Sequence, residues 1–585
     1  AQEGRLFAPL AFTKTWAMAA AALFSITFIP VFMGYLIRGK IHSEQRNPLN
    51  RLLTTCYRPV VGFITKHPWP VIVAAVLLTA SAAWPISRLG SEFMPPLDEG
   101  DWMYMPTARP GLPIGEATQL LQQTDRMIKS VPEVAQVFGK IGRAETATDP
   151  APLTMIESVI RFKPESEWRE GMSMEDIRAE IRERVQLPGI ANVWVMPIKT
   201  RIDMLATGIK TPVGIKISGP ELDVIQSIGR DIENLLGDFP GSSSVYAERV
   251  VGGRYVVVDI DRLAAARLGL NIADVQAVVT SAIGGMNVSE TIEGLERYPI
   301  NVRYPRQVRD SLENIRRLPI ITPRGDRIAL NDVARVEIED GPPMIKSENA
   351  RPNGWVYIDI AEIDVGSYVS SAREFLESNL NLPVGYTLGW SGQFEYMERA
   401  IERLKLVVPL TVVIITLLLY LAFHRVSDVL IILASLPVSI AGSAWFVWYL
   451  GYDLSVAVAV GVIALAGVAV EIGVIMLIYL NQYRQDYLDK LGPDENPSQS
   501  GLRDAIQQGA LQRLRPIVMT VAAITAGLLP IMTGGGVGSE VMQRIAAPMI
   551  GGMLSTMVLT LCVIPALYLL WHSFAIRSNN RARAA

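Results

Sequence analysis

Between Arg88 and Glu395 the sequence holds no histidine and no cysteine, although this polar stretch takes up about half of the chain. Its only soft donor atoms are methionine thioethers. A zinc site built there would be left with carboxylates, whereas thioether sulfur suits a soft monovalent ion such as Cu(I). The whole chain has two cysteines, Cys56 among basic residues and Cys562 inside an apolar run, so a structural disulfide between them is not expected. A cysteine-free polar domain suits an oxidising compartment. A strong excess of positive or negative charge is also missing: the formal net charge is −3, and no basic stretch of the kind that grips nucleic acid is present. No nucleophilic triad, metallohydrolase signature or nucleotide motif occurs. Gly534-Gly535-Gly536-Val537-Gly538 lacks the Lys-Ser/Thr ending of a phosphate loop and reads as a turn. The residues point away from an enzyme and from a resident cofactor.

What is abundant is apolar sequence. Half the residues are hydrophobic and the mean hydropathy is +0.27. Runs long enough to cross about 30 Å of hydrocarbon recur near 16–37, 70–86, 404–423, 429–450, 454–480, 516–532 and 547–571. Basic residues mark the cytoplasmic connections. Arg38, Lys40, Arg46, Arg51, Arg58 and Lys66 follow the first run, Arg484, Lys490, Arg503, Arg513 and Arg515 follow the fifth, and Arg577, Arg581 and Arg583 follow the last. The large polar domain and the amino terminus then fall on the outer side. A chain that starts outside with Ala1 reads as the carboxyl-terminal portion of a longer protein, a fragment with a missing amino-terminal half.

Within the polar domain the periodicity predicts strands at 102–107, 135–140, 155–162 and 191–198, with helices at 114–130 and 174–185. That order is β-α-β-β-α-β, the split βαβ signature. A second run of this kind has a strand at 212–218, a helix at 221–236, strands at 245–251 and 255–261 and a helix at 272–283. A mostly β insertion over 288–338 interrupts it, and it resumes with a strand at 355–360, a helix at 368–378 and a strand at 386–390. The insertion suits a docking surface.

Three methionines stand out, Met105, Met155 and Met204. A single methionine is most often core filler, because its flexible thioether packs irregular gaps. Spacing alone does not bring the three together. A three-thioether site would have two advantages in an acidic outer compartment: it carries no proton that titrates near neutrality, and it forms no disulfides. Glu471 lies in the middle of a span, where a charge costs roughly 2.5–3.5 kcal/mol on insertion scales. Such a residue is expected to face a bundle interior, either as a silent structural hydrogen-bonding group or as a proton carrier, with small neighbours allowing a second helix close. The carrier role is favoured. Glu99, Asp149, Glu157, Arg201 and Lys210 lie near the methionines in sequence, and charged residues of this kind are by default solvated.

Five stretches carry a family likeness: Gly4-Arg5-Leu6-Phe7-Ala8-Pro9-Leu10-Ala11-Phe12-Thr13-Lys14-Thr15, Thr211-Pro212-Val213-Gly214-Ile215-Lys216, Tyr298-Pro299-Ile300-Asn301-Val302-Arg303-Tyr304-Pro305, Ser347-Glu348-Asn349-Ala350-Arg351-Pro352 and Ser539-Glu540-Val541-Met542-Gln543-Arg544-Ile545-Ala546-Ala547-Pro548-Met549. Across essentially its whole length the chain resembles the heavy-metal efflux branch of the resistance-nodulation-division transporters, most of all the inner-membrane subunit of the copper/silver pump, from the sixth of twelve spans onward. The resemblance implies that Met105, Met155 and Met204 are the metal ligands of a periplasmic cleft. It also implies that Glu99, Asp149, Glu157, Arg201 and Lys210 line or gate that cleft, that Met542 and Met286 (the latter offset by one position) lie on a metal pathway, and that Glu471 is the proton relay. The relay's aspartate partner would lie in a span absent from this chain. One departure is Ile517, which follows Arg515-Pro516 where the copper/silver subunit has a lysine; it puts the usual ion-paired relay in doubt.

These readings give an α-helical transmembrane bundle carrying an α+β periplasmic porter domain of two split βαβ (ferredoxin-like) units with an inserted β-rich docking module. The expected boundaries are membrane helices within 1–40 and 67–87 flanking a cytoplasmic connector at 41–66, porter subdomains at 88–205 and at 206–286 with 341–395, and a docking module at 287–340. Three spans follow within 396–482, then a cytoplasmic segment at 483–513, two spans within 514–573 and a tail at 574–585. The implied activity is proton-driven export of Cu(I) or Ag(I) across a bacterial inner membrane. The implied complex is a homotrimer working with a periplasmic adaptor (membrane fusion) protein and an outer-membrane channel protein. A divalent exporter for zinc, cobalt or nickel should bring imidazole or carboxylate ligands to the cleft. A multidrug exporter should bring Phe and Tyr. A sterol-sensing receptor or protein-export helper fits the methionines poorly.

Overall fold

The computed structural model describes residues 2–37, 48–95, 97–108, 110–142, 152–361, 363–491, 497–536 and 538–584. Asp149, Arg38, Lys40, Arg46 and the Gly492-Pro493-Asp494 loop lie outside these residues. Six helices are long and apolar enough to cross a membrane: Pro68–Arg88, Gln393–Phe423, Val426–Tyr449, Val456–Asp489, Gln499–Thr533 and Ser539–Phe574. A bent pair, Ala11–Ile26 and Phe28–Leu36, meets at 47° and would make a seventh.

The last three of these helices and Val426–Tyr449 pack around one apolar core that includes Leu465, Ile472, Met476, Ile506, Ile517, Met553 and Ile564. Small residues bring the backbones close. At Gly551 a β-carbon would lie 2.3 Å from Phe446 Cβ and 2.7 Å from the Gly442 carbonyl oxygen. Ser443 donates to the Pro548 carbonyl at 2.7 Å, and Thr556 donates to the Ser439 hydroxyl at 2.8 Å. Hydrophobic burial does not separate helix from lipid, so close backbone approach and hydrogen bonds of this kind hold membrane helices together.

The outer domain has three cores. In the first, strands Asp101–Tyr104, Val134–Lys140, Glu157–Phe162 and Trp194–Val195 form an antiparallel sheet in the spatial order second, third, first, fourth. Helices Ile114–Lys129 and Met174–Arg184 cover one face. Ser173 and Asp176 exchange the two hydrogen bonds that cap the second of them. Trp102, Tyr104 and Ile160 point into this core against Ile128, Ile177 and Ile181. Because strand side chains alternate, Met103 and Met105 are on the opposite face.

The second core uses strands Val213–Ser218, Ser242–Ala247, Arg351–Ile360 and Thr387–Gly392 with helices Leu222–Gly237 and Val365–Asn379. The pairings run Ser242–Ala247 on Arg351–Ile360, that strand on Val213–Ser218, and that one on Thr387–Gly392. Val213, Ile215, Ile217, Val356 and Ile358 face its helices.

The third core departs from the expected boundary. Gly253–Ile260 pairs along its whole length with Ala334–Gly341, and Ala265, Leu270, Val275, Leu318, Leu330 and Val336 bury against each other as a separate cluster. The strand at 255–261 and the helix at 272–283, expected in the second subdomain, therefore belong with the insertion. A long-range strand pairing made this choice, and local periodicity carries no information about it. The hairpin Met286–Glu293 with Glu296–Val302 projects from this unit with nearly every side chain exposed.

The domain is tied to the helices through the chain after the second span. Gly90 accepts from Leu454 N at 2.9 Å, Glu92 N donates to the Leu454 carbonyl at 3.0 Å, and Arg544 meets Glu92 at 2.9 Å.

Candidate functional site

The site grows from the edge of the first sheet. Tyr104 pairs with Ser158, and beyond the strand end Thr107 still pairs with Met155 in the same antiparallel register. This register sets Met105 opposite Glu157. Alternation then puts Met105, Thr107, Met155 and Glu157 on one face, the face turned away from the tryptophan-lined core. The other edge is fixed by Met105 N, which donates to the Val193 carbonyl at 2.8 Å. Met105 is fully buried, and Met155 is half-buried.

The third methionine arrives on a helix that periodicity did not indicate. Residues 191–198 were expected to run as one strand, but the strand is only Trp194–Val195 and Pro197–Thr207 is helical. The signals were present: Pro197 occupies the first turn, where its missing N–H costs nothing, and Gly208 ends the helix at φ 80°. Glu99 caps the helix from another segment, accepting from Ile198 N and Lys199 N at 2.7 Å each. A carboxylate there also meets the positive end of the helix dipole. Arg201 and Met204, three residues apart, share a side of this helix. Arg201 reaches Glu157 at 3.6 Å, and Glu157 also holds Lys140 at 2.9 Å. The ion pair ties this helix to the strand that carries Glu157. Met204 is half-buried.

Lys210 closes the group from below. It donates to the Met105 carbonyl at 3.1 Å and to the Thr107 hydroxyl at 2.6 Å, and its ammonium sits 5.3 Å from the centre of the Tyr357 ring. Burial pushes its pKa down to about 8, with the nearby Lys346 adding to the effect and Glu248 and Glu157 opposing it. Lys210 and Glu157 are buried and partnered, not the solvated groups that are the default. Thr107, Lys199 and Asp203 belong to the site and were not anticipated; Lys199 and Asp203 pair within the helix at 2.7 Å.

Met105 and Met155 thus share a sheet face with the buried Glu157, the buried Lys210 bonds the Met105 carbonyl, and the helix that carries Met204 is tied to Glu157 through Arg201. Among the described residues, no cluster of three or more histidine, cysteine, aspartate or glutamate side chains is arranged to hold a metal ion. The donor chemistry here is sulfur.

The other expected residues lie elsewhere. Met542 is on the helix Ser539–Phe574 and Met286 begins the projecting hairpin; both are exposed, and neither joins the first-sheet group. Ile517 is buried in the apolar helix core. Glu471 lies on Val456–Asp489 but is exposed at the surface of the chain, so these helices do not provide the bundle interior expected around it.

With this geometry in hand, comparison with known proteins is informative. The model of the AcrB/AcrD/AcrF family matches residues 1–572. The chain belongs to this family. Its relatives include the cation efflux system protein CusA of Escherichia coli (strain K12), 51% identical over 98% of this chain and 55% of its own length. The putative cation efflux system protein SilA of Salmonella typhimurium is 51% identical over 97% and 54%. The cobalt-zinc-cadmium resistance protein CzcA of Cupriavidus metallidurans is 33% identical over 97% and 53%. A crystal structure of a heavy metal efflux pump superposes with a TM-score of 0.77 at 27% identity, covering 90% of this chain and 53% of that one. The chain thus spans about half the length of the curated relatives it matches.

Proposed function

We propose that this chain forms the carboxyl-terminal part of a proton-driven exporter of soft monovalent cations, Cu(I) or Ag(I), in a bacterial inner membrane. The observation that supports the reading is that Met105 and Met155 share one face of the first sheet and that the helix carrying Met204 is tied to Glu157 on that face, in a domain whose sequence has no imidazole or thiolate. Its two αβ units are read as split βαβ porter subdomains and the third core as the docking module. The relatives at 51% identity are cation efflux system proteins by name.

In this reading the ion exchanges its water for thioethers, which remain unprotonated in an acidic periplasm. Glu99 holds the helix that carries Met204, and Glu157 offsets part of the positive charge of Arg201 and Lys140 beside the cleft. Glu471 carries the proton. Its exposed carboxylate finds its partner in the rest of the full-length protein, and proton binding must differ between the two conformations of the cleft, since a ligand with equal affinity for both shifts nothing. Asp149 is assigned to the cleft by family likeness alone. Met542 and Met286 would handle the ion before and after the cleft. The assembled pump is a homotrimer with a periplasmic adaptor and an outer-membrane channel.

The test is a titration of the purified chain with Ag(I) and Zn(II). Strong Ag(I) binding that is lost in Met155→Leu and in Met204→Leu, with weak Zn(II) binding, is the expected result. Zn(II) binding at least as strong, or silver binding indifferent to both substitutions, overturns the reading in favour of a divalent exporter or an exporter of another cargo.

A further inference from the structure

The helix that carries Met204 is held at its two ends by different sheets. Its first turn is pinned to the segment before the first sheet by Glu99. Its last turn rests on the second sheet, and the contact there is unusually close. A β-carbon on Gly208 would lie 2.3 Å from Cη2 of Trp355 and 2.9 Å from both Cζ2 and Cζ3. Gly208 is also left-handed at φ 80°, and its N–H closes the helix on the Met204 carbonyl at 2.8 Å. Only glycine satisfies the backbone and the space together.

Trp355 is built as a seat. It stands on Arg351–Ile360 directly opposite Lys216, on the face away from the apolar core. The Lys346 ammonium lies 3.7 Å from its ring centroid and is itself held by Glu248 at 2.5 Å. Lys216 approaches to 5.5 Å and is held by Glu348 at 2.7 Å. Among the described residues, the buried Trp355 indole Nε1 has no hydrogen-bond partner. An indole whose N–H is left unsatisfied while two ion-paired lysines flank the ring is retained for its shape and π-face.

We propose that Trp355 is a positioning residue for cation capture: the ring fixes the height of the Gly208 end of the helix, and with it the place of the Met204 sulfur relative to Met105 and Met155. The proposal rests on the reading of the three methionines as the cargo site. Trp355 touches no ligand and acts through Met204. The Lys346–Glu248 and Lys216–Glu348 pairs keep the ring from swinging away when the helix bears on it.

The test is a double-mutant cycle on the full chain, read by Ag(I) affinity in competition with a soluble chelator and by thermal unfolding. Trp355→Ala is expected to weaken Ag(I) binding by about tenfold or more, with unfolding little changed, and to have no further effect in a Met204→Leu background, because coupled residues are non-additive. Trp355→Phe, which keeps a flat ring under Gly208, should retain most of the affinity. Trp355→Leu replaces the alanine variant if that does not fold. If Met204→Leu weakens binding but Trp355→Ala and Trp355→Leu do not, or if their losses add to that of Met204→Leu, the seat is refuted and the cargo site stands. If Met204→Leu itself leaves Ag(I) binding unchanged, the cargo site falls and the seat with it.

Discussion

Two glycines on the same membrane helix, Val456–Asp489, face opposite surroundings, and alanine should report the difference. At Gly461 a β-carbon would lie 2.3 Å from the Ile545 carbonyl oxygen and 2.5 Å from Pro548 Cγ. Both obstacles belong to the helix Ser539–Phe574, and one is backbone, so no side-chain rotation relieves them. Heavy atoms in good contact sit about 3.5–4.0 Å apart, so the two helices would have to separate locally by roughly 1 Å. Overpacking of this kind costs about 1–3 kcal/mol. At Gly467 nothing lies within 4 Å of the added carbon, and alanine there gains about 1 kcal/mol of helix propensity. Because the propensity gain applies at both positions, Gly461→Ala should be less stable than Gly467→Ala by roughly 1–3 kcal/mol, the cost of the overpacking alone. The assay is thermal unfolding of the 585-residue chain in detergent. If Gly461→Ala unfolds at or above the temperature of Gly467→Ala, the close crossing of these helices is wrong.

Other consequences can be checked directly. In the full-length protein Glu471→Gln should leave Ag(I) binding intact and stop transport; vesicles that still move metal against a gradient would remove the proton role. Arg169 holds Glu133 through contacts of 2.5 and 2.8 Å, and that hydrogen bonding pulls the Glu133 carboxyl down to about 2. A lowered folded value means the stabilisation is present at neutral pH and is lost as pH falls from the usual carboxylate range towards about 2. Glu133→Gln should flatten this acid limb of an unfolding profile, and a profile unchanged by the substitution would contradict the pairing. Lys210 has the same sign in a higher pH window. Its pKa is depressed to about 8, so the unfolded chain binds more protons above that value. Stability should rise as pH climbs from about 8 towards the ordinary lysine value, and Lys210→Met should abolish the rise.

Several features were readable from local pattern. Apolar runs gave the six helices long enough to cross a membrane, because length and hydropathy are one-dimensional properties of a helix in lipid, while the first run is a pair of helices bent by 47°. Alternation gave most of the strands of the two αβ units. The helix that delivers Met204 was hidden by a short apolar stretch that fits either state, Val193 to Ile198, although Pro197 and Gly208 were its punctuation. The projecting third unit was drawn too short, since its closing strands, Gly253–Ile260 and Ala334–Gly341, lie about eighty residues apart and declare nothing to each other in sequence.

The chain by itself determined the kind of donor available in the outer domain, since thioethers are the only soft atoms between Arg88 and Glu395. It also determined where charge would enter the membrane, at Glu471. It took the folded chain to show that Met105 and Met155 share a sheet face, that Arg201 ties the helix carrying Met204 to Glu157, and that Lys210 is buried against the Met105 carbonyl. The reason is physical: element type follows from neighbouring residues, whereas strand register and helix placement are set by distant partners whose identities no local pattern contains.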